Sequence, residues 1–95
     1  WLYDPGKVIL ITPPAVDENK QKVRNNLLVQ EYSNIIKRIA NEYKFSFIDL
    51  ASKMQANKNF PEIFNGKKND GLHFGVKGYE LLAKLIGQKL NQISN

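Results

Sequence analysis

Two short apolar runs separated by one long amphipathic stretch constrain this chain more than any other feature. Lys7-Val8-Ile9-Leu10-Ile11-Thr12 is apolar and largely β-branched, and Pro13-Pro14, which cannot continue a hydrogen-bonded ladder, stops it. An unbroken apolar run of this length suits a strand buried on both faces, as parallel sheets require. From about Lys20 to Tyr43, Val23, Leu27, Leu28, Tyr32, Ile35, Ile36, Ile39 and Tyr43 recur largely at steps of three and four. That spacing predicts an amphipathic helix with this stripe turned inward and Lys22, Asn26, Lys37 and Asn41 on its outer side. Ala15 to Asn19 reads as the loop before it, with Asp17 or Asn19 as its cap. Lys44-Phe45-Ser46-Phe47-Ile48-Asp49-Leu50 begins by alternating and ends apolar, which predicts a second strand. Strand, helix, strand is a βαβ unit, and it implies two parallel strands joined right-handedly.

Ala51 to Asn69 has no sustained period and is punctuated by Pro61 and Asn65-Gly66. It reads as a long excursion with one helical turn after Leu50 and a turn at Asn65-Gly66-Lys67-Lys68. Long irregular segments of compact domains tend to be functional. The final element is clear, since Val76, Tyr79, Leu82, Ala83, Ile86, Leu90 and Ile93 recur at helical spacing, with Gly75 placed at the N-cap.

Composition narrows the class. With 42% hydrophobic and 24% charged residues the chain is an ordinary soluble globular sequence, one domain or part of one, rather than a disordered segment. The longest apolar run, Val8 to Ile11, falls far short of the roughly 18 residues of a membrane span. A start at Trp1-Leu2-Tyr3, without methionine, is that of a processed product, an expressed segment or a piece of something longer. The absence of cysteine excludes disulfides, thiolate catalysis and cysteine-based zinc sites. The formal charge of +5 comes from lysines scattered along the chain, which describes a solvated surface better than a nucleic-acid interface.

The residues able to do chemistry gather in Asp70-Gly71-Leu72-His73-Phe74. His73 is the sole histidine, and Asp70 three residues earlier can reach one imidazole nitrogen within a tight turn, fix the tautomer and leave the other nitrogen free as a general base. Gly71 lets the backbone bend sharply between them. The segment follows the second strand and precedes a helix, so it falls at the carboxyl edge of the sheet, where open α/β folds bind ligands, and the Pro13-Pro14 loop opens onto the same edge. A metal site built from Asp70, His73 and Glu80 is disfavoured, because a closed zinc site wants about four ligands, and no cofactor is expected. Phe60, Phe64, Phe74 and Tyr79 read as core and loop packing before they read as a substrate pocket.

At these residues the chain resembles the GDSL, or SGNH, hydrolases, and within them the isoamyl-acetate-hydrolysing esterase group. The resemblance rests on Asp70-Gly71-Leu72-His73-Phe74 followed by Gly78-Tyr79-Glu80-Leu81-Leu82-Ala83. It extends to the strand and Pro-rich loop Val8-Ile9-Leu10-Ile11-Thr12-Pro13-Pro14 with Asp17-Glu18, and to Phe47-Ile48-Asp49-Leu50. It implies a three-layer α/β/α, flavodoxin-like sandwich, of which residues 1–95 are the C-terminal segment of a single domain. It implies His73 as the base that deprotonates a serine and Asp70 as the group that orients it, acting on a small-molecule carboxylic ester.

The family's Gly-Asp-Ser motif is missing here. Ser33, Ser46, Ser52 and Ser94 lack its setting, Ser52 being the nearest to the site, and the glycine and asparagine of the oxyanion hole have no counterpart. The chain alone is therefore expected to be nearly inert, with its partner the N-terminal part of the same domain or another protein chain. Two other readings stay open: a noncatalytic structural or interaction subunit that keeps an esterase-like scaffold, and a small basic binding module.

Overall fold

The computed structural model describes residues 4–94. A 3-10 turn at Pro5–Lys7, capped by the Asp4 carboxylate, leads into strand β1 (Ile9–Ile11). Helix α1 (Asn26–Tyr43) crosses over to strand β2 (Ser46–Ile48), and helix α2 (Leu50–Ala56) follows at once. A second 3-10 turn at Phe60–Phe64 precedes helix α3 (Val76–Ser94). The strands pair in parallel, Ile9 with Ser46, Leu10 with Phe47 and Ile11 with Ile48. The ladder is closed by Ser46 N–H to Val8 O at 2.8 Å and Thr12 N–H to Ile48 O at 3.1 Å. This is the βαβ unit the sequence predicts.

Local chemistry fixes the boundaries. The cap of α1 is Asn25, whose side chain accepts the Leu28 N–H at 2.9 Å, so the helix starts at Asn26 and not near Lys20. Asp17 and Asn19 do not cap it. Asp17 instead closes a turn of its own, its carboxylate accepting Asn19 N–H and its carbonyl accepting Lys20 and Gln21 N–H. At the other end Lys44, at φ 60°, takes the left-handed position that ends α1 and donates its N–H to Ala40 O. The segment after β2 is more ordered than its composition implies. Asp49 caps a helix, α2, longer than the single turn expected, by accepting Ser52 N–H at 3.1 Å. Thr12, at the end of β1, accepts the Ala51 N–H at 3.1 Å and so seats α2 on the sheet.

The core lies between α2, the Phe60–Phe64 turn and the sheet, with Met54, Ile63 and Phe64 fully buried and Ala15, Ile48, Leu50 and Ala51 around them. Ile9 and Ile11, together with Leu81, Leu82, Leu85 and Ile86 of α3, pack on its border. Helix α1 rests on both strands, and α3 rests on β2 and on the 3-10 turn.

Two expectations need correction here. Strand β1 is half-buried along its length and not buried on both faces. The face α1 turns inward is Val29, Ser33 and Ala40, while Leu27, Leu28, Tyr32, Ile35, Ile39 and Tyr43 of the apolar stripe are exposed, Tyr32 by 58%. Both follow from the same geometry: a sheet with two strands among the described residues is too narrow to cover a helix of 18 residues around its apolar circumference. Ser33 tolerates burial because its hydroxyl donates to Val29 O at 2.7 Å.

Candidate active site

Asp70 and His73 meet as their spacing predicts. The imidazole Nδ1 lies 2.7 Å from Asp70 Oδ2, while Asp70 Oδ1 accepts two backbone N–H groups, from Leu72 and from His73 itself, each at 2.9 Å. One carboxylate thereby folds the turn with one oxygen and orients the ring with the other. These bonds favour the charged carboxylate and hold Asp70 well below the usual carboxyl range, the His73 backbone N–H contributing most, then the imidazole, then the Leu72 N–H. An ionised Asp70 can only accept, so Nδ1 carries the proton and Nε2 keeps its lone pair. His73 is 58% exposed along its side chain, and Nε2 has no hydrogen-bond partner among the described residues. A ring held this way can take a proton from an approaching hydroxyl.

The loop that carries the pair is wedged between backbone on both sides. Gly71, buried at φ +74°, lies so close to the loop after β1 that a Cβ there would stand 2.6 Å from Asp17 O. Asp17 N–H donates to Gly71 O at 2.9 Å across the same contact, and the Lys20 ammonium donates to the Asn69 side chain. On the far side, a Cβ at Gly75 would stand 1.7 Å from Asn65 O, and Gly75 N–H donates to Ile63 O at 2.8 Å. The Lys77–Glu62 ion pair, 2.7 Å, joins the start of α3 to the Phe60–Phe64 turn and pushes the lysine pKa up.

Other candidate residues fall elsewhere. The Ser52 hydroxyl donates to Asp49 Oδ2 at 2.9 Å, within the cap of α2, and makes no hydrogen bond to His73. Glu80 lines a cleft with Lys77 and Lys84, and no three His, Asp or Glu side chains converge as a metal site among the described residues. Phe60, Phe64, Phe74 and Tyr79 form a run of edge-to-face contacts at 5.4, 6.2 and 5.6 Å between ring centres, from the buried Phe64 outward to an exposed Tyr79. Phe60 and Phe74 pack on the core cluster to which Phe64 belongs. The sequence places the Pro13-Pro14 loop at this edge, but the contact of Asp17 with Gly71 is long-range and leaves no periodic or motif signal.

Residues 1–86 match the model of the family described as GDSL-like Lipase/Acylhydrolase. The chain belongs to that family. Among solved structures it is similar to the lipase/acylhydrolase from Enterococcus faecalis, with a TM-score of 0.79 and 33% sequence identity over 88% of this chain. The match spans 42% of the Enterococcus chain, so this sequence corresponds to less than half of that protein's length. No curated protein matches. The two parallel strands with their helices are a fragment of the lipase/acylhydrolase fold.

Proposed function

We propose that this chain supplies the acid–base half of a serine-type carboxylic ester hydrolase. The observation that carries the reading is the 2.7 Å contact between His73 Nδ1 and Asp70 Oδ2, in a loop of a lipase/acylhydrolase-family chain. His73 Nε2 takes the proton of a serine hydroxyl as the serine oxygen adds to the ester carbonyl. The imidazolium, stabilised by the Asp70 carboxylate, then protonates the departing alcohol, and the same ring activates the water that releases the acid. Neither metal nor organic cofactor enters these steps.

The serine and the oxyanion-hole donors come from outside these 95 residues, from the N-terminal part of the same domain or from another chain. Three features support such a complement. In a parallel ladder alternate residues bond to alternate sides, so with Val8 and Thr12 bonded to β2, the peptide groups of Ile9 and Ile11 point to an edge with no partner strand among the described residues. The apolar stripe of α1 is uncovered. The radius of gyration, 14.3 Å, exceeds the value of about 12 Å for a compact domain of this length. The substrate is a small carboxylic ester, and the Pro13-Pro14 loop with Asp17-Glu18 favours the isoamyl-acetate-hydrolysing group within the family.

The test is hydrolysis of p-nitrophenyl acetate by the full-length or reassembled protein. His73→Ala abolishes the activity, and Asp70→Asn, which keeps an acceptor for the turn but loses the charge, lowers kcat by about 10³- to 10⁴-fold. Activity indifferent to both substitutions would assign the chain to a noncatalytic scaffold.

A further inference from the structure

Asn26 stands at the first position of α1, and its side chain does not serve that helix. Its Oδ1 accepts the Val16 N–H at 2.8 Å, and its Nδ2 donates to Val16 O at 2.9 Å and to Glu18 Oε1 at 3.1 Å. This amide reads both backbone groups of one residue as a neighbouring strand would, and it fixes the segment from Val16 to Glu18. Val16 and Asp17 are buried there, at 1% and 5% exposure. Asp17 N–H then holds Gly71 O, the carbonyl between Asp70 and His73, at 2.9 Å. The fit at Gly71 leaves no room for a side chain, so a shift of the Asp17 segment must displace the turn. The contacts therefore run without a gap from the start of α1 to the backbone that carries the imidazole.

We propose that Asn26 is a positioning residue for His73, acting through Val16 and the Asp17–Gly71 contact. This rests on the esterase reading. The claim is that α1 sets the height and direction of the base, since the Asp70–His73 pair is built by local bonds but its turn is placed by the clasp. A misplacement of a base by an ångström can cost up to about 100-fold in rate.

Asn25 supplies the control. It caps α1 through Leu28 N–H and has no bond to the Val16 segment, so Asn25→Ala weakens the same helix end while leaving the clasp intact. In the full-length protein, Asn26→Ala is expected to lower kcat for p-nitrophenyl acetate by about 10- to 100-fold with KM little changed. Asn25→Ala lowers the melting temperature but leaves kcat in place. Asn26→Asp sets a carboxylate oxygen against Val16 O and Glu18 Oε1, where the parent amide donated, so it too breaks the clasp and its kcat falls at least as far as that of Asn26→Ala.

Imidazole 15N shifts give a readout apart from turnover. The parent shows one set of His73 resonances with the proton on Nδ1; in Asn26→Ala the local Asp70 bond keeps that tautomer, and the His73 resonances shift and broaden as the turn leaves its place. If Asn26→Ala matches Asn25→Ala in kcat and in the His73 resonances, the proposal is overturned. Should Asn26→Ala not fold, Asn26→Asp decides by the same two measurements. A parent protein without His73-dependent ester hydrolysis would overturn the esterase reading instead, and the 15N shifts would still judge the clasp.

Discussion

At the scale of single residues, the Asp70 carboxylate is the group whose state governs the site. Its pKa is depressed by the His73 and Leu72 N–H groups and the imidazole, so it binds its proton less readily folded than unfolded. The stabilisation of the turn is thus fully present above the ordinary carboxyl value of 3.8 and is lost as pH falls through the lower folded value. A 13C titration of the side-chain carboxyls is expected to show Asp70 still ionised below pH 3.8, when ordinary aspartates are protonating; titration at the ordinary value would contradict the hydrogen-bond geometry. The glycines that flank the pair give a second prediction. Gly75→Ala drives a Cβ into Asn65 O, and Gly71→Ala combines a clash with Asp17 O with a positive φ. Each is expected to destabilise by about 2 kcal/mol or more, as overpacking and backbone strain do, read as a drop in the midpoint of denaturant unfolding. The Asp70–His73 pair is legible in the sequence because its partners are three residues apart and one carboxylate closes the turn. Asn26, Lys20 and Asn65 are not, because what they touch lies far along the chain or is backbone.

Among the elements, α1 is the one whose neighbours most limit what the sequence can tell. Its 3.6-residue period is plain, yet the period names an apolar face without naming what covers it. Val29, Ser33 and Ala40 turn inward because the two strands lie beneath them, whereas Tyr32, Ile35 and Ile39 lie beyond the sheet's reach. The helix starts at Asn26 and not near Lys20 for a different reason: several polar residues precede it, and Asn25 wins the cap while Asp17 is engaged with its own turn. Replacing Asn25 by alanine is expected to cost about 1 kcal/mol of stability, measured by thermal or denaturant unfolding. Strand β1 and α3 were readable because a short β-branched run ended by proline and a long regular repeat each admit one local solution, and β2 was readable from the alternation that opens Lys44 to Leu50. The order of α2 was not, since it depends on Asp49 and on the Thr12 hydroxyl supplied by a different strand.

For the whole molecule, the exposed stripe of α1 and the edge of β1 that has no partner strand among the described residues describe one expectation: these residues fold as a stable unit only with a complement. The 95-residue chain by itself is expected to self-associate or to melt without cooperativity, measured by circular dichroism and sedimentation, and a cooperative monomeric melt would contradict it. The α/β class was legible from the strand–helix–strand order, and family membership came from motifs in sequence order. The proposed catalysis was not legible as a whole, because the nucleophile and oxyanion donors it requires have no counterpart in this sequence. The central claim is that His73, held by Asp70, is the base of an ester hydrolase. The most direct measurement is the rate of p-nitrophenyl acetate hydrolysis by the full-length protein and its His73→Ala variant at equal folded concentration. The account predicts loss of activity by about 10⁴-fold or more in the variant, and equal rates for the two proteins would contradict it.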